Sequence, residues 1–328
     1  MTTGLSESHE KPSFLVPLDD DEWRAGSQLR LEALKRTLAS PPLTLSAPEL
    51  AALFEIDHVR IVAERPDGMQ DYPDMAVRVR GAFGRVLAAL GPPIIHRRDP
   101  ATRPRAWDVV FESMALPGVG VALGKPLVVH AGFEDNRLVA SVGLMGMAGF
   151  WLPDASAALL GALEGGIALW EDGRMKVPLV CLEAKHERAS GFMPPGYRMR
   201  EARLRFRTPL RLRSGDAPVT RGASFLIAVA NRVARVAPWQ LARLAIDWNA
   251  VHTSARTIEA DLSGLLPYRW SRGSRRAQKR LPLLGILGTL ALRGDLDMWA
   301  PLLQIAEAVN CGAHAALGLG RFDLALLP

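Results

Sequence analysis

Residues 202–212, Ala-Arg-Leu-Arg-Phe-Arg-Thr-Pro-Leu-Arg-Leu, constrain this chain more than any other stretch. Ala202, Leu204, Phe206, Leu210 and Leu212 alternate with Arg203, Arg205, Arg207, Arg211 and Arg213, interrupted only at Thr208-Pro209. Successive side chains of a strand point to opposite faces, so one face here is apolar and the other all cationic. Period two therefore puts the arginines on the solvent side of a half-buried sheet.

The same reading extends to both sides of that strand. Residues 54–64, FEIDHVRIVAE, are strand-like; after a Pro/Gly loop, VRVRGAFGRVLAAL (77–90) has helical spacing that stops at Gly91-Pro92-Pro93. Strand, glycine-containing loop and helix open a ferredoxin-like unit. The polar segment from Ile94 to Arg105 reads as an exposed loop. Strands are predicted near Val109 to Met114, Pro126 to Phe133, Arg137 to Met145 and Val177 to Ala184, with a helix over Ala155 to Glu164. Pro194-Pro195-Gly196 suits a boundary between units. Beyond the arginine strand, helices are predicted over Ala223 to Val236 and about Trp239 to Trp248. Ahead of everything, an acidic cluster at Asp19, Asp20, Asp21 and Glu22 leads into a helical stretch carrying Leu29, Leu34 and Leu38, and Ser46-Ala-Pro-Glu49 has the form of a capping box. Strand-helix-strand patterning in both halves predicts an α+β protein of two tandem ferredoxin-like (RRM-like) domains. Their predicted bounds are 51–200 and 201–328, behind a helical N-terminal extension, 1–50.

With 48% hydrophobic and 23% charged positions among 328 residues, two cores of ordinary size can be buried. The net charge of +6 favours an anionic partner. Lysine occurs only at Lys11, Lys35, Lys125, Lys176, Lys185 and Lys279, so arginine carries the charge, and arginine pairs with phosphate bidentately and stacks on bases. A GC-rich genome would also enrich arginine. Cys181 and Cys311 stand apart with no Cys/His cluster, so neither a zinc site nor a disulfide framework is expected. The start of the chain lacks a secretory pattern, and the longest apolar runs are too short to span a bilayer. A cytoplasmic protein without a membrane partner is expected.

Three features of the last third carry candidate chemistry. Residues 268–280 gather Arg269, Arg272, Arg275, Arg276, Lys279 and Arg280 behind Tyr268 and Trp270, with no acid between Asp261 and Asp295. Cations beside aromatic rings suit nucleic acid, although a solvated basic loop has the same composition. Gly312-Ala-His-Ala-Ala-Leu-Gly318-Leu-Gly320-Arg321 follows an amphipathic helix predicted over about 300–310. Glycines there let backbone approach an anion or another strand closely, and the spacing is not that of a nucleotide-binding loop. Seven histidines show no metal-ligand spacing. Among them His96 is flanked by Arg97 and Arg98, His314 sits within the glycine loop, and His58 lies in the first strand.

Taken together, residues 269–323 are similar to the C-terminal region of CRISPR pre-crRNA processing endoribonucleases of the RAMP superfamily. These combine an Arg/Ser/Gln-rich stretch, a small-residue strand, a helix and a glycine-rich loop ending Gly-Leu-Gly-Arg-aromatic. LRFRTPLRLRSGD (204–216) resembles the strand opening that family's second domain, and VRGAFGRVLAAL (79–90) its first helix. Ala313 stands where relatives often carry lysine, and residues 1–50 have no counterpart. The resemblance implies tandem RAMP domains and metal-independent cleavage of CRISPR repeat RNA to mature crRNA, with no cofactor. In that chemistry the ribose 2′-hydroxyl attacks the adjacent phosphate, leaving a cyclic phosphate and a 5′-hydroxyl.

By position in the family, His96 corresponds to the general base, and Tyr268 is the second catalytic candidate. The candidate RNA-binding residues are Arg97, Arg98, Arg203, Arg205, Arg207, Arg272, Arg275, Arg276, Lys279, Arg280, Gly312, His314, Gly318, Gly320 and Arg321. Repeat RNA is the implied partner, together with other subunits of a CRISPR effector complex. A noncatalytic RAMP subunit that only binds crRNA is the alternative.

Overall fold

The computed structural model describes residues 20–90, 104–112, 122–168, 176–192, 196, 198–212, 222–274 and 279–328. In chain order its elements are α1 (Asp20–Ala39), β1 (Leu43–Leu45), α2 (Ala47–Leu53), β2 (Glu55–Glu64), α3 (Met75–Ala89), α4 (Ala106–Phe111), β3 (Leu127–Glu134), β4 (Arg137–Met145), α5 (Leu152–Glu164), β5 (Ile167–Ala168), β6 (Lys176–Val177) and β7 (Cys181–Ser190). They continue as β8 (Glu201–Leu210), α6 (Gly222–Val236), β9 (Ala242–Leu244), α7 (Trp248–Thr257), β10 (Glu259–Asp261), β11 (Leu265–Ser274), β12 (Lys279–Arg293), α8 (Ala300–Val309) and β13 (Phe322–Leu327).

The first sheet has the order β3-β4-β2-β7, antiparallel throughout. Its fourth strand in sequence lies beside its first, and its second lies at the far edge. This is the arrangement that two interleaved strand-helix-strand units produce. Val59, Ile61 and Ala63 of β2 are buried in the same core as Val79, Phe83 and Leu87 of α3 and Leu159 and Leu163 of α5. His58 and Arg60, at the alternate positions, belong to the opposite face.

The second sheet repeats the plan as β13-β8-β12, with β10 and β11 both paired to β12. Ala202, Leu204 and Phe206 are buried while Arg203, Arg205 and Arg207 are exposed, as the alternation predicts. Phe206, Phe225 of α6 and Phe322 of β13 meet edge to face, with centroids 5.8–6.2 Å apart. The two ferredoxin-like units are thus present in tandem.

The segment before β2 is built onto the second unit. β1 pairs in parallel with β9, Leu43 opposite Ala242. Leu31, Leu34 and Leu38 of α1 are buried at helical spacing, whereas Leu29, expected on that face, is 74% exposed. The Ser46 amide donates to Glu49 Oε2 at 2.8 Å, the bond a capping box predicts.

Two predicted elements are corrected. Residues 109–111, expected in a strand, end helix α4, where Trp107 stacks on Phe111 at 4.5 Å and 3°. That stack needs the one-turn spacing of a helix. No single helix covers 239–248. A 3-10 turn over Ala237–Gln240 ends at Leu241 in the left-handed region, β9 follows, and α7 begins after Asp247. The Asp247 carboxylate accepts from the Asn249 and Ala250 amides, and this cap starts a new helix. Among the described residues, no helix is long and apolar enough to cross a membrane.

Candidate nucleic-acid interface

The basic stretch 268–280 lies on an antiparallel arm. β12 pairs with β8 only from Ile286 to Arg293, with a register shift between Ile286 and Gly288, and its earlier half pairs with β11 alone. Gly288, at φ 108°, sits where a Cβ would collide with the carbonyl oxygen of Gly264, so glycine is required at the bend. Tyr268 and Trp270, two residues apart on one face of β11, have ring centroids 5.8 Å apart at 28°. Gly285, opposite Tyr268 in register, leaves room for the indole; a Cβ there would come within 3.1 Å of it. By backbone register Arg272 lies opposite Leu281, Arg280 opposite Gly273 and Lys279 opposite Ser274. Arg275 and Arg276 lie outside the described residues, as do His96, Arg97 and Arg98.

The arginine face of β8 is not purely cationic once its neighbours are in place. Glu201 accepts from Arg203 at 2.6 Å and pairs with Arg293 at 3.5 Å, and Asp323 of β13 pairs with Arg207 at 2.5 Å. Arg205 makes no ion pair among the described residues. The alternation within one strand could not show acids contributed by the strand end and by β13.

A cavity of about 870 Å³ lies where the open face of the first sheet meets the second unit. His58, Arg60, His130, Glu134, Glu187 and Arg188 line it from the first unit, and Arg207, Thr208, Glu307, Arg321 and Asp323 from the second. Arg60 pairs with Glu134 at 2.7 Å, and Arg188 with Asp57 at 2.7 Å. Arg321 differs from these two, and from Arg207 with its Asp323 pair. Its amide donates to Thr208 Oγ1 at 2.9 Å, fixing the start of β13 against β8, yet its guanidinium makes no ion pair among the described residues. Burial pulls its pKa down, opposed by the nearby charges of Asp323 and Glu134. Enclosed cations without a partner favour the arrival of an anion.

Burial disfavours the charged form of both histidines of this cleft. Burial, then the Arg321 charge, pushes His130 down to about 3. Its Nε2 meets Asn310 Oδ1 at 3.1 Å. Burial also lowers His58, whose ring covers Gly143. Partial burial shifts Glu307 upward, although its carboxylate accepts from the Leu324 amide at 2.7 Å.

The glycines of the C-terminal loop receive the protein's own backbone. A Cβ on Gly312 would meet the Arg211 carbonyl, one on Gly320 the Cys311 carbonyl, and one on Gly318 both Ala76 and the Val129 carbonyl of the first unit. All three have positive φ. The loop is therefore seated on the first sheet, with His314 exposed, and Arg321 turned into the cleft. The structure brings Arg207 and Arg321 together and adds Arg60, Arg188 and His130, none of which the sequence reading singled out. The polar positions of FEIDHVRIVAE and CLEAKHERAS hold Arg60 and Arg188, but nothing local says that the two faces converge. Among the described residues no three His, Cys, Asp or Glu side chains are grouped to hold a metal ion.

Residues 204–322 match the family model described as CRISPR-associated endoribonuclease Cas6. This segment contains nearly all of the 269–323 stretch on which the resemblance rests. A solved Cas6 product complex is similar with a TM-score of 0.50 and 17% identity, over 84% of this chain and all of that one. A Cas6 substrate mimic complex gives 0.46 and 16%, covering 83% and 99%. Cas6 from Thermus thermophilus gives 0.47 and 13%, also covering 83% and 99%. At such identity the first likeness speaks for the fold alone, tandem ferredoxin-like units. No curated protein matches by sequence.

Proposed function

We infer that this chain is a Cas6-type endoribonuclease, which binds CRISPR repeat RNA and cleaves it to mature crRNA. The family match over 204–322 carries the inference, because it spans the arginine strand, the arm, α8 and the glycine loop as one unit. The arm with its Tyr268–Trp270 stack and the cleft with Arg321, which makes no ion pair among the described residues, support an RNA partner. Rings can stack on bases and arginines can hold phosphates at both places.

In this reading 51–200 and 201–328 are the two RNA-gripping domains, and 1–50 is an extension. The protein acts in the cytoplasm, with other subunits of an effector complex as partners. The ribose 2′-hydroxyl attacks the adjacent phosphate without a metal. His96 removes its proton, Tyr268 orients the phosphate, and arginines stabilise the phosphorane; the P–O5′ bond then breaks and the leaving oxygen takes up a proton from water, so that the products carry a cyclic phosphate and a 5′-hydroxyl. His130 is unsuited to the base, since a pKa pushed down to about 3 leaves it little affinity for the proton.

The test is incubation of the purified chain with end-labelled repeat RNA in EDTA, beside RNA carrying one internal 2′-deoxy at the cut site. Site-specific cleavage lost in the deoxy substrate is expected, and His96→Ala should abolish it while leaving RNA affinity within a few-fold. Tight binding without any cleavage would replace this reading with a noncatalytic crRNA-binding subunit.

A further inference from the structure

Asn310 is the C-cap of α8 and is fully buried, with φ 58° and ψ 160°. That combination is open to glycine and strained for other residues, and strain of this kind persists only where surrounding contacts over-determine it. Here the side chain makes those contacts. Its Nδ2 donates to the Ala315 carbonyl at 3.5 Å, inside the glycine loop. Its Oδ1 therefore faces His130 of β3 and accepts from Nε2 at 3.1 Å, across the boundary between the two units. Five residues beyond Ala315 the loop closes on itself, with Cys311 N donating to the Gly320 carbonyl at 3.1 Å, and Arg321 follows directly. Gly318, against Ala76 and the Val129 carbonyl, is the loop's other seat on the first unit.

We propose that Asn310 is a positioning residue: its bond to His130 latches the glycine loop onto the first sheet and so sets where Arg321 stands across the cleft from Arg60 and Arg188. A glycine at 310 would suit the backbone better than asparagine does, so the side chain is what the position is used for. Other polar bonds join the two units, such as Gln240 with the Glu55 backbone at 3.3 and 2.8 Å, but Gln240 lies outside this loop and does not hold it. The latch is read from geometry alone; only its consequence for RNA rests on the function inferred above.

The experiment uses the full chain and the variants Asn310→Gly, His130→Ala and His130→Gln. Amide hydrogen exchange is followed first without RNA, at Leu317, Gly318 and Gly320 against the β8–β12 ladder. Asn310→Gly relieves the backbone, so a purely structural residue would leave these amides as protected as before, and that result would overturn the latch. The latch requires exchange in the loop to rise by about ten-fold or more, one such factor for each interaction-sized loss, while the ladder is unchanged. Repeat RNA is then titrated, and single-turnover cleavage is measured at saturation. The expected split is a loss of affinity of about ten-fold, of the size of one hydrogen bond to a charged group, with the saturated rate much less affected. His130→Gln, whose amide can still donate to Asn310 Oδ1, should recover most of what His130→Ala loses. Faster loop exchange with unaltered affinity would sever the latch from the cleft and overturn that half of the proposal. A wild-type chain that binds no repeat RNA would instead sink the RNA function, and the exchange result would still decide the latch.

Discussion

Arg321 concentrates the chemistry of the cleft in one side chain. Its neighbours Arg60, Arg188 and Arg207 are each committed to a carboxylate, whereas its own half-buried guanidinium makes no ion pair among the described residues. Replacing it with glutamine should weaken repeat-RNA binding by about 1.5–3 kcal/mol, as expected for a charged hydrogen bond. The slope of log K against log[salt] should also fall by roughly 0.7, one phosphate on a single strand. Titrations at several salt concentrations measure both, and an unaltered slope would remove Arg321 from the interface. His130 makes a separate prediction about stability. Its folded pKa is depressed from 6.5 to about 3, with His58, Arg321 and Asn310 facing the ring. The unfolded chain therefore binds more protons between those values, so this contribution is complete above pH 6.5 and is lost as pH falls toward 3. Urea midpoints should decline between pH 7 and 4.5, and the decline should be smaller in His130→Gln, which has no proton to gain. The residue types were legible in the sequence; that Arg321 makes no ion pair among the described residues and that His130 has a depressed pKa was not, because both depend on what packs around them.

At the scale of elements, the arm and the aromatic core behave differently under mutation. The arm is two strands, and among the described residues no third strand pairs with them before Ile286. Combined neutralisation of Arg272, Arg275 and Arg276 should lower the salt slope by about 2, three phosphates at roughly 0.7 each. An unchanged slope would place the contact elsewhere, with Arg205 of β8 the next candidate. Phe225 instead joins α6 to both β8 and β13 through Phe206 and Phe322. Phe225→Ala should cost about 3–5 kcal/mol in urea unfolding, since a buried ring leaves a cavity that its neighbours fill poorly. β8 and α3 were legible because each has one buried face and a clean period, and β4 because it is a short apolar run. α4 was misread because 109–111 is a short apolar run, in which helix and strand share the same composition. β9 was missed because its partner β1 lies far away in sequence.

At the scale of the molecule, two copies of one plan are joined so that the glycine loop of the second rests on edge strand β3 and helix α3 of the first. The cleft exists only through that docking, and its lining alternates arginines and carboxylates drawn from six separate elements, β2, β3, β7, β8, α8 and β13. The sequence by itself determined the repeated strand-helix-strand plan, the cationic face of β8, the basic stretch with its two aromatics and the glycine loop. These are local patterns, written in neighbours a few residues apart. Only the tertiary structure decided which arginines are neutralised, that the loop's glycines serve the protein's own backbone, and that Asn310 reaches His130. Each of these joins residues distant in the chain, and no periodicity encodes a contact between two surfaces that become neighbours only after both units have folded.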